Sequence, residues 1–102
     1  MTRVFLGHTT GLMENAYEGV PALVIEIISP SNETHDRIRK YITYMEFGIK
    51  EYWIINPKLK TVEVYTLENG EYKQAAIYKG DDWAVSQTFK KLKIYLEEIF
   101  SE

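Results

Sequence analysis

Glu26 is the residue that least fits its surroundings. It stands within Ala22-Leu23-Val24-Ile25-Glu26-Ile27-Ile28, where every other side chain is apolar. A carboxylate in such a run is costly unless it is paired, protonated or bound to a cation. Functional sites hold carboxylates in this way, and so do structural ion pairs. Two readings therefore stay open. Glu26 is a functional acid, or it caps a backbone group or pairs with a lysine from a helix. Lys40 is the obvious partner candidate. It also stands four residues after Asp36, and a solvated Asp36–Lys40 pair on a helix would contribute only about 0.2–0.5 kcal/mol.

The remaining chemistry-bearing residues point less sharply. His8 and His35 have no second histidine at metal-ligand spacing and read as surface residues. There is no His-Glu-x-x-His, no Gly-x-Ser-x-Gly and no phosphate-binding glycine loop. Trp53, Tyr52, Tyr65, Tyr72 and Tyr78 could stack on bases. Their placement in β-rich runs is the pattern of core residues and cross-strand pairs. With no cysteine in the chain, disulfides, thiolate-ligated zinc, iron–sulfur clusters and thiol catalysis are excluded.

The elements that must position Glu26 and Lys40 follow from the flanking pattern. Val4-Phe5-Leu6 reads as a short strand, and residues 7–19 as an irregular connection. Residues 22–28 form a strand closed by Ser29-Pro30-Ser31. Apolar residues occupy both of its alternating sets, so both faces should be covered. Ser31 or Thr34 is the expected N-cap of a helix over 36–47. That helix carries two apolar strips, Ile38/Ile42/Met45 with Tyr41, and Tyr44/Phe47. Gly48 supplies the stop. Glu51 to Ile55 is the next strand, ended by Asn56-Pro57. Residues 61–66 and 72–78 flank Asn69-Gly70, the strongest short hairpin signal, because both turn residues must tolerate positive φ. A short strand over 83–88, residues 92–96 and a helical turn at 97–100 complete a mixed α/β order.

The chain has 102 residues, 45% hydrophobic and 26% charged, with a net charge of −3. This suits one folded domain rather than a disordered chain or a multi-domain enzyme. No apolar run is long enough to span a bilayer, and no secretory pattern is found at Met1. Together with the lack of cysteine, this sets a cytoplasmic expectation. Charge is uneven: residues 36–60 carry a net +3 against −6 elsewhere. That leaves a basic patch for nucleic acid conceivable in a chain whose overall sign disfavours it.

The stretch from Tyr17 to Tyr65 resembles the Uma-two family of restriction-endonuclease-like proteins. The resemblance rests on Glu18-Gly19-Val20-Pro21, on Leu23 through Asn32, and on Asp36, Lys40 and Tyr44 at four-residue spacings. It continues through Gly48-Ile49, Glu51-Tyr52-Trp53-Ile54-Ile55, Pro57 and Thr61 to Tyr65. It implies an α/β (α+β mixed sheet) fold of the PD-(D/E)xK nuclease type with a C-terminal β-hairpin. It also implies phosphodiester hydrolysis of DNA with Mg²⁺ or Mn²⁺. Glu26 would be the metal ligand and, with Lys40, the catalytic pair. Ser29 and Asp36 would shape the loop, and Tyr44 would share the strip with Lys40. The usual motif places its lysine two residues after the acid, where this chain has Ile28. The resemblance moves that role to Lys40, which would turn the Lys40/Tyr44 strip towards Glu26.

The chain departs from the family pattern. Thr2 and Ala22 stand where family members usually carry aspartate, and Asn56 replaces an aspartate before proline. The family's N-terminal helix and early strands would precede Met1. The expectation is a single 1–102 domain lacking those elements, with impaired or lost catalysis and with homodimerisation covering an exposed face. The alternatives are a non-catalytic module for self-association or protein interaction, and a DNA binder that does not cut.

Overall fold

A computed structural model of the chain describes residues 2–6, 21–28 and 33–100, with side chains described for 21–28 and 37–100. The expected connection over 7–19, together with His8, Ser29 and Ser31, lies outside the described residues.

Five strands form one sheet in the order β1-β2-β3-β4-β5: β1 (Thr2–Leu6), β2 (Leu23–Ile27), β3 (Glu51–Asn56), β4 (Thr61–Glu68) and β5 (Glu71–Lys79). Only β2 and β3 are parallel, and the other neighbours are antiparallel. A parallel pair needs a crossover, which α1 (Glu33–Glu46) provides. A second, two-stranded ladder pairs β6 (Trp83–Val85) with β7 (Lys93–Tyr95), and α2 (Leu96–Phe100) follows it.

Both faces of β2 are covered, as its two apolar sets require. Leu23 and Ile25 join Trp53, Ile55, Val62 and Val64 beneath Ala84 and Leu96 of the C-terminal segment. On the opposite face Val24 and Ile28 join Tyr52, Ile54 and Tyr72 beneath Tyr44 of α1. Fully burying a large aliphatic or aromatic side chain contributes about 1.5–3 kcal/mol. Trp53, Leu23 and Ile54, all at 2% exposure or less, therefore hold three layers together through the two parallel strands.

Three sequence expectations shift. The helix starts at Glu33, so Thr34 lies inside it and does not precede it. The helix ends at Glu46, and Phe47 beyond it is 65% exposed. The Tyr44/Phe47 strip therefore reaches protein only at Tyr44. Gly48 closes the helix at φ 77°, with its N–H on the Met45 carbonyl and the Ile49 N–H on the Tyr44 carbonyl. This pair of bonds satisfies two carbonyls of the last turn. Finally, the strand expected to run to Thr88 stops at Val85. The next residues curl, because the Ser86 hydroxyl accepts the N–H groups of Thr88 and Phe89.

The Asn69-Gly70 hairpin forms with φ 53° and 82° at its two turn residues. Positive φ at both positions matches the right-handed strand twist. Gly70→Ala should lower unfolding stability by about 1–2 kcal/mol, with no change in the denaturant slope. Urea unfolding of the two proteins measures it, and equal midpoints would refute the assigned turn.

Candidate functional site

Helix α1 crosses the sheet face with Arg37, Lys40, Tyr41 and Tyr44 turned inward. Positions i, i+3, i+4 and i+7 share one helical face. Ile38 and Ile42 lie at the flank of that face, 57% and 44% exposed, while Met45 packs partly against the helix–sheet core. Beneath the helix, strand register sets out one row of residues. Glu26 pairs with Ile54, and Ile54 pairs with Glu63 on its far side. Each carboxylate in that row has a cation from the helix. Lys40 Nζ lies 3.3 Å from Glu26 Oε2, and Arg37 Nη2 lies 3.3 Å from Glu63 Oε1.

The two pairs differ in burial. Glu26 has no exposure, and the Lys40 side chain has 17%. Burying a carboxylate this deeply costs several kcal/mol before compensation. The compensation includes Lys40 and the Tyr44 hydroxyl, which donates to Glu26 Oε2 at 2.9 Å. The Arg37 side chain is 33% exposed, and its pair with Glu63 sits nearer solvent, where such pairs contribute about 1 kcal/mol or less. Tyr65 donates to Glu63 at 2.6 Å and receives Gln74 at 3.3 Å.

A cluster of tyrosines fills the space between these pairs. Tyr44 meets Tyr52 edge-on at 5.1 Å, and Tyr41 meets Tyr65 and Tyr72 at 5.7 and 5.4 Å. Tyr72 donates to the Ile49 carbonyl at 2.7 Å, and Tyr41 to the Tyr72 carbonyl at 3.2 Å. Burial, and then the Glu26 charge, push the Tyr52 phenol well above its ordinary range. Burial and the bond to Glu63 push Tyr65 up to about 12.

Of the residues singled out from sequence, the structure brings Glu26, Lys40 and Tyr44 together. Asp36 and His35 lie on α1 with side chains outside the described set, and Ser29 lies outside it altogether. A divalent cation bound through carboxylates asks for several oxygen ligands. Among the described residues no group of three His, Asp or Glu side chains comes together. The sheet neighbours of Glu26 are Arg3 and Ile54. The described residues thus supply one carboxylate ligand and do not by themselves make a metal site.

Sequence reasoning missed Glu51. It is fully buried on the opposite face of the sheet. Trp53 Nε1 donates to it at 2.6 Å, Ser86 Oγ at 2.9 Å, and the Gln87 and Thr88 N–H groups at 3.1 and 2.8 Å. The usable signal was the one applied to Glu26, a charge opening an otherwise apolar strand. The Arg37–Glu63 pair was missed as well, because nothing local joins residues 26 positions apart.

Two outcomes follow. Glu51→Ala leaves the Trp53, Ser86 and Gln87 donors without their acceptor, while the Thr88 N–H keeps Ser86 Oγ. Each such group costs about 1–3 kcal/mol when buried, so thermal unfolding should show a loss of several kcal/mol. Hydrogen exchange should accelerate at the Gln87 and Thr88 amides. Unchanged exchange there would contradict the assigned role. For Tyr65, the folded value lies above its ordinary value of 10.0. Its contribution to stability is therefore complete below pH 10 and is lost as pH rises through about 12. Phenolate absorbance should contain a step near pH 12 that Tyr65→Phe removes.

Comparison with known proteins yields a family and a fold. The family model Uma2, described as putative restriction endonuclease, matches residues 4–97. A crystal structure from Anabaena variabilis ATCC 29413, described as a putative nuclease belonging to DUF820, superposes with a TM-score of 0.65 at 23% identity. The match covers 93% of this chain and 52% of that one, so the chain spans about half the length of that protein. At this identity the likeness shows the fold, a nuclease fold with a mixed sheet. No curated protein matches. With 94 consecutive positions matched by one family model, the chain belongs to the Uma2 family, the Uma-two family of restriction-endonuclease-like proteins.

Proposed function

We propose that this chain carries a nuclease centre for DNA phosphodiesters that works with Mg²⁺ or Mn²⁺, and that Glu26 and Lys40 are its catalytic residues. The observation that carries the reading is a carboxylate with no solvent exposure, met on one oxygen by a lysine at 3.3 Å and a tyrosine hydroxyl at 2.9 Å. Family membership supports it.

A bound divalent cation supplies Lewis acidity at a phosphate oxygen and a more acidic water. Glu26 offers the hard oxygen that such a cation prefers, and its further ligands would come from outside the described residues. Lys40 places a positive charge where dielectric screening is weak, which favours the charge that builds on a phosphate during cleavage. Tyr44 fixes the Glu26 carboxylate by donating to it. The tyrosine cluster behind Tyr44 keeps its ring in place.

The same contacts favour a second reading, a non-catalytic nuclease-fold module. A buried carboxylate that already has a cation and a hydroxyl on one oxygen is compensated without any metal. The two readings separate in one set of assays. Supercoiled plasmid incubated with the chain and Mn²⁺ or Mg²⁺ should be nicked, and chelation should stop the reaction. Glu26→Gln and Lys40→Met should each reduce the rate by about 100-fold or more, with circular dichroism confirming that both fold. Equal activity in both variants would remove Glu26 and Lys40 from the chemistry. Absence of both cleavage and Mn²⁺ binding in the wild-type chain would select the non-catalytic module.

A further inference from the structure

Next to the Glu26 row, α1 and the sheet enclose a groove of about 490 Å³ lined by Arg37, Ile38, Tyr41, Ile42, Ile54 and Tyr65. Ile54 ties the groove to the candidate centre, because it pairs directly with Glu26 in the sheet register. Neighbouring strands lie about 4.8 Å apart, so a ligand in the groove sits about one nucleotide's reach from the Glu26–Lys40 contact. Arg37 and Lys40 are one helical turn apart on the same face of α1.

The groove offers two aromatic rings and three isoleucines, and a single cation. Arg37 is anchored to Glu63 through Nη2 alone, at 3.3 and 3.4 Å to the two carboxylate oxygens. These are long for a guanidinium–carboxylate contact, which runs about 2.7–2.9 Å when strong. Guanidinium has five N–H donors, and those on its other nitrogens have no partner among the described residues. Arg37 is thus oriented by Glu63 and retains donors beside an apolar slot. A ligand that matches has a flat face and acceptors on its edge, and it hangs from an anionic backbone that Arg37 and Lys40 attract.

We propose that this groove is a nucleobase subsite for the DNA strand whose phosphodiester lies at Glu26 and Lys40, with Arg37 as its specificity-determining residue. The identity of the ligand rests on the nuclease reading above. Tyr41 and Tyr65 pack against the base, as aromatic platforms do for unpaired bases, with the exposed Ile38 and Ile42 at the rim. Arg37 donates to the acceptor edge. Guanine presents two adjacent acceptors, O6 and N7, to a guanidinium, so a guanine-containing strand binds best. A duplex covers its own base faces by stacking, so it binds more weakly than a single strand.

The test is fluorescence anisotropy with short labelled oligonucleotides, with chelator present so that binding is read without cleavage. Wild-type chain is compared with Arg37→Met and with Ile38→Glu, an exposed position where the change places a carboxylate at the groove rim and leaves the fold intact. Both variants should raise Kd for single strands by about 10-fold, and Arg37→Met should erase the preference for guanine. Binding of every strand with the same Kd by all three proteins overturns the subsite, as does a wild-type chain that binds no oligonucleotide. A dimer in sedimentation that Ile38→Glu dissociates, with DNA affinity unchanged, overturns it in favour of a second copy of the chain in the groove. The two proposals also fail separately. Variant-sensitive binding without cleavage in Mn²⁺ leaves the subsite standing and removes the nuclease reading. Cleavage with a KM indifferent to both variants does the reverse.

Discussion

Burial of the Glu26 carboxylate is the constraint on which the helix side of this structure depends. Strand β2 is covered on both faces, so any charge on it must find its partner within the fold. The partner is Lys40 on α1, with Tyr44 one turn further along donating to the same oxygen. Meeting that demand sets how α1 is rotated about its axis. The strip holding Arg37, Lys40, Tyr41 and Tyr44 faces the sheet, and Ile38 and Ile42 are left outward. On hydrophobicity alone the isoleucine strip would have been the better choice for the core. The electrostatic demand prevails because an uncompensated buried charge costs more than leaving two isoleucines half exposed.

A second buried carboxylate does the corresponding work on the opposite face. Glu51 opens β3 and collects the indole N–H of Trp53 on its own strand, with a hydroxyl and two backbone N–H groups from the segment after β6. The two sites use different chemistry. Glu26 has a cation as well as a hydroxyl, and so forms a buried charged pair. Glu51 is surrounded by neutral donors and is fully enclosed, which suits an anchor for the C-terminal layer. The central parallel strands β2 and β3 thus each hold one carboxylate, on opposite faces, and each carboxylate fastens the layer that covers it.

This arrangement also explains why the candidate centre and the groove beside it lie on the helix side. On that side the sheet row places Glu26, Ile54 and Glu63 side by side, and the helix delivers one cation to each acid. The apolar residue between the acids opens the slot, and the tyrosines wall it. Rigid elements supply all of these groups, which is what precise placement of reacting or recognising side chains requires.

Sequence alone determined the elements and the odd residue among them. Short apolar runs, continuous over 22–28 and alternating over 61–66, marked the strands, Gly48 marked the helix end, and Asn69-Gly70 marked the hairpin. These signals are local, acting through φ preference and side-chain alternation within a few residues. Glu26 also showed itself locally, as a charge in an apolar run with Lys40 as its obvious partner candidate, and the residue series resembling the Uma-two family added Tyr44 and the inward turn of their strip. What only the tertiary structure decided was pairing across distance. That includes that Arg37 and Tyr41 join the inward strip of α1, that Arg37 meets Glu63, and that Glu51 gathers donors more than thirty residues away. Those contacts depend on strand order and on the crossing of helix over sheet, and no spacing along the chain encodes them. Hence the Glu26 carboxylate and its partner were visible in the sequence as a candidate pair, whereas the Glu51 and Glu63 contacts lay in the fold alone.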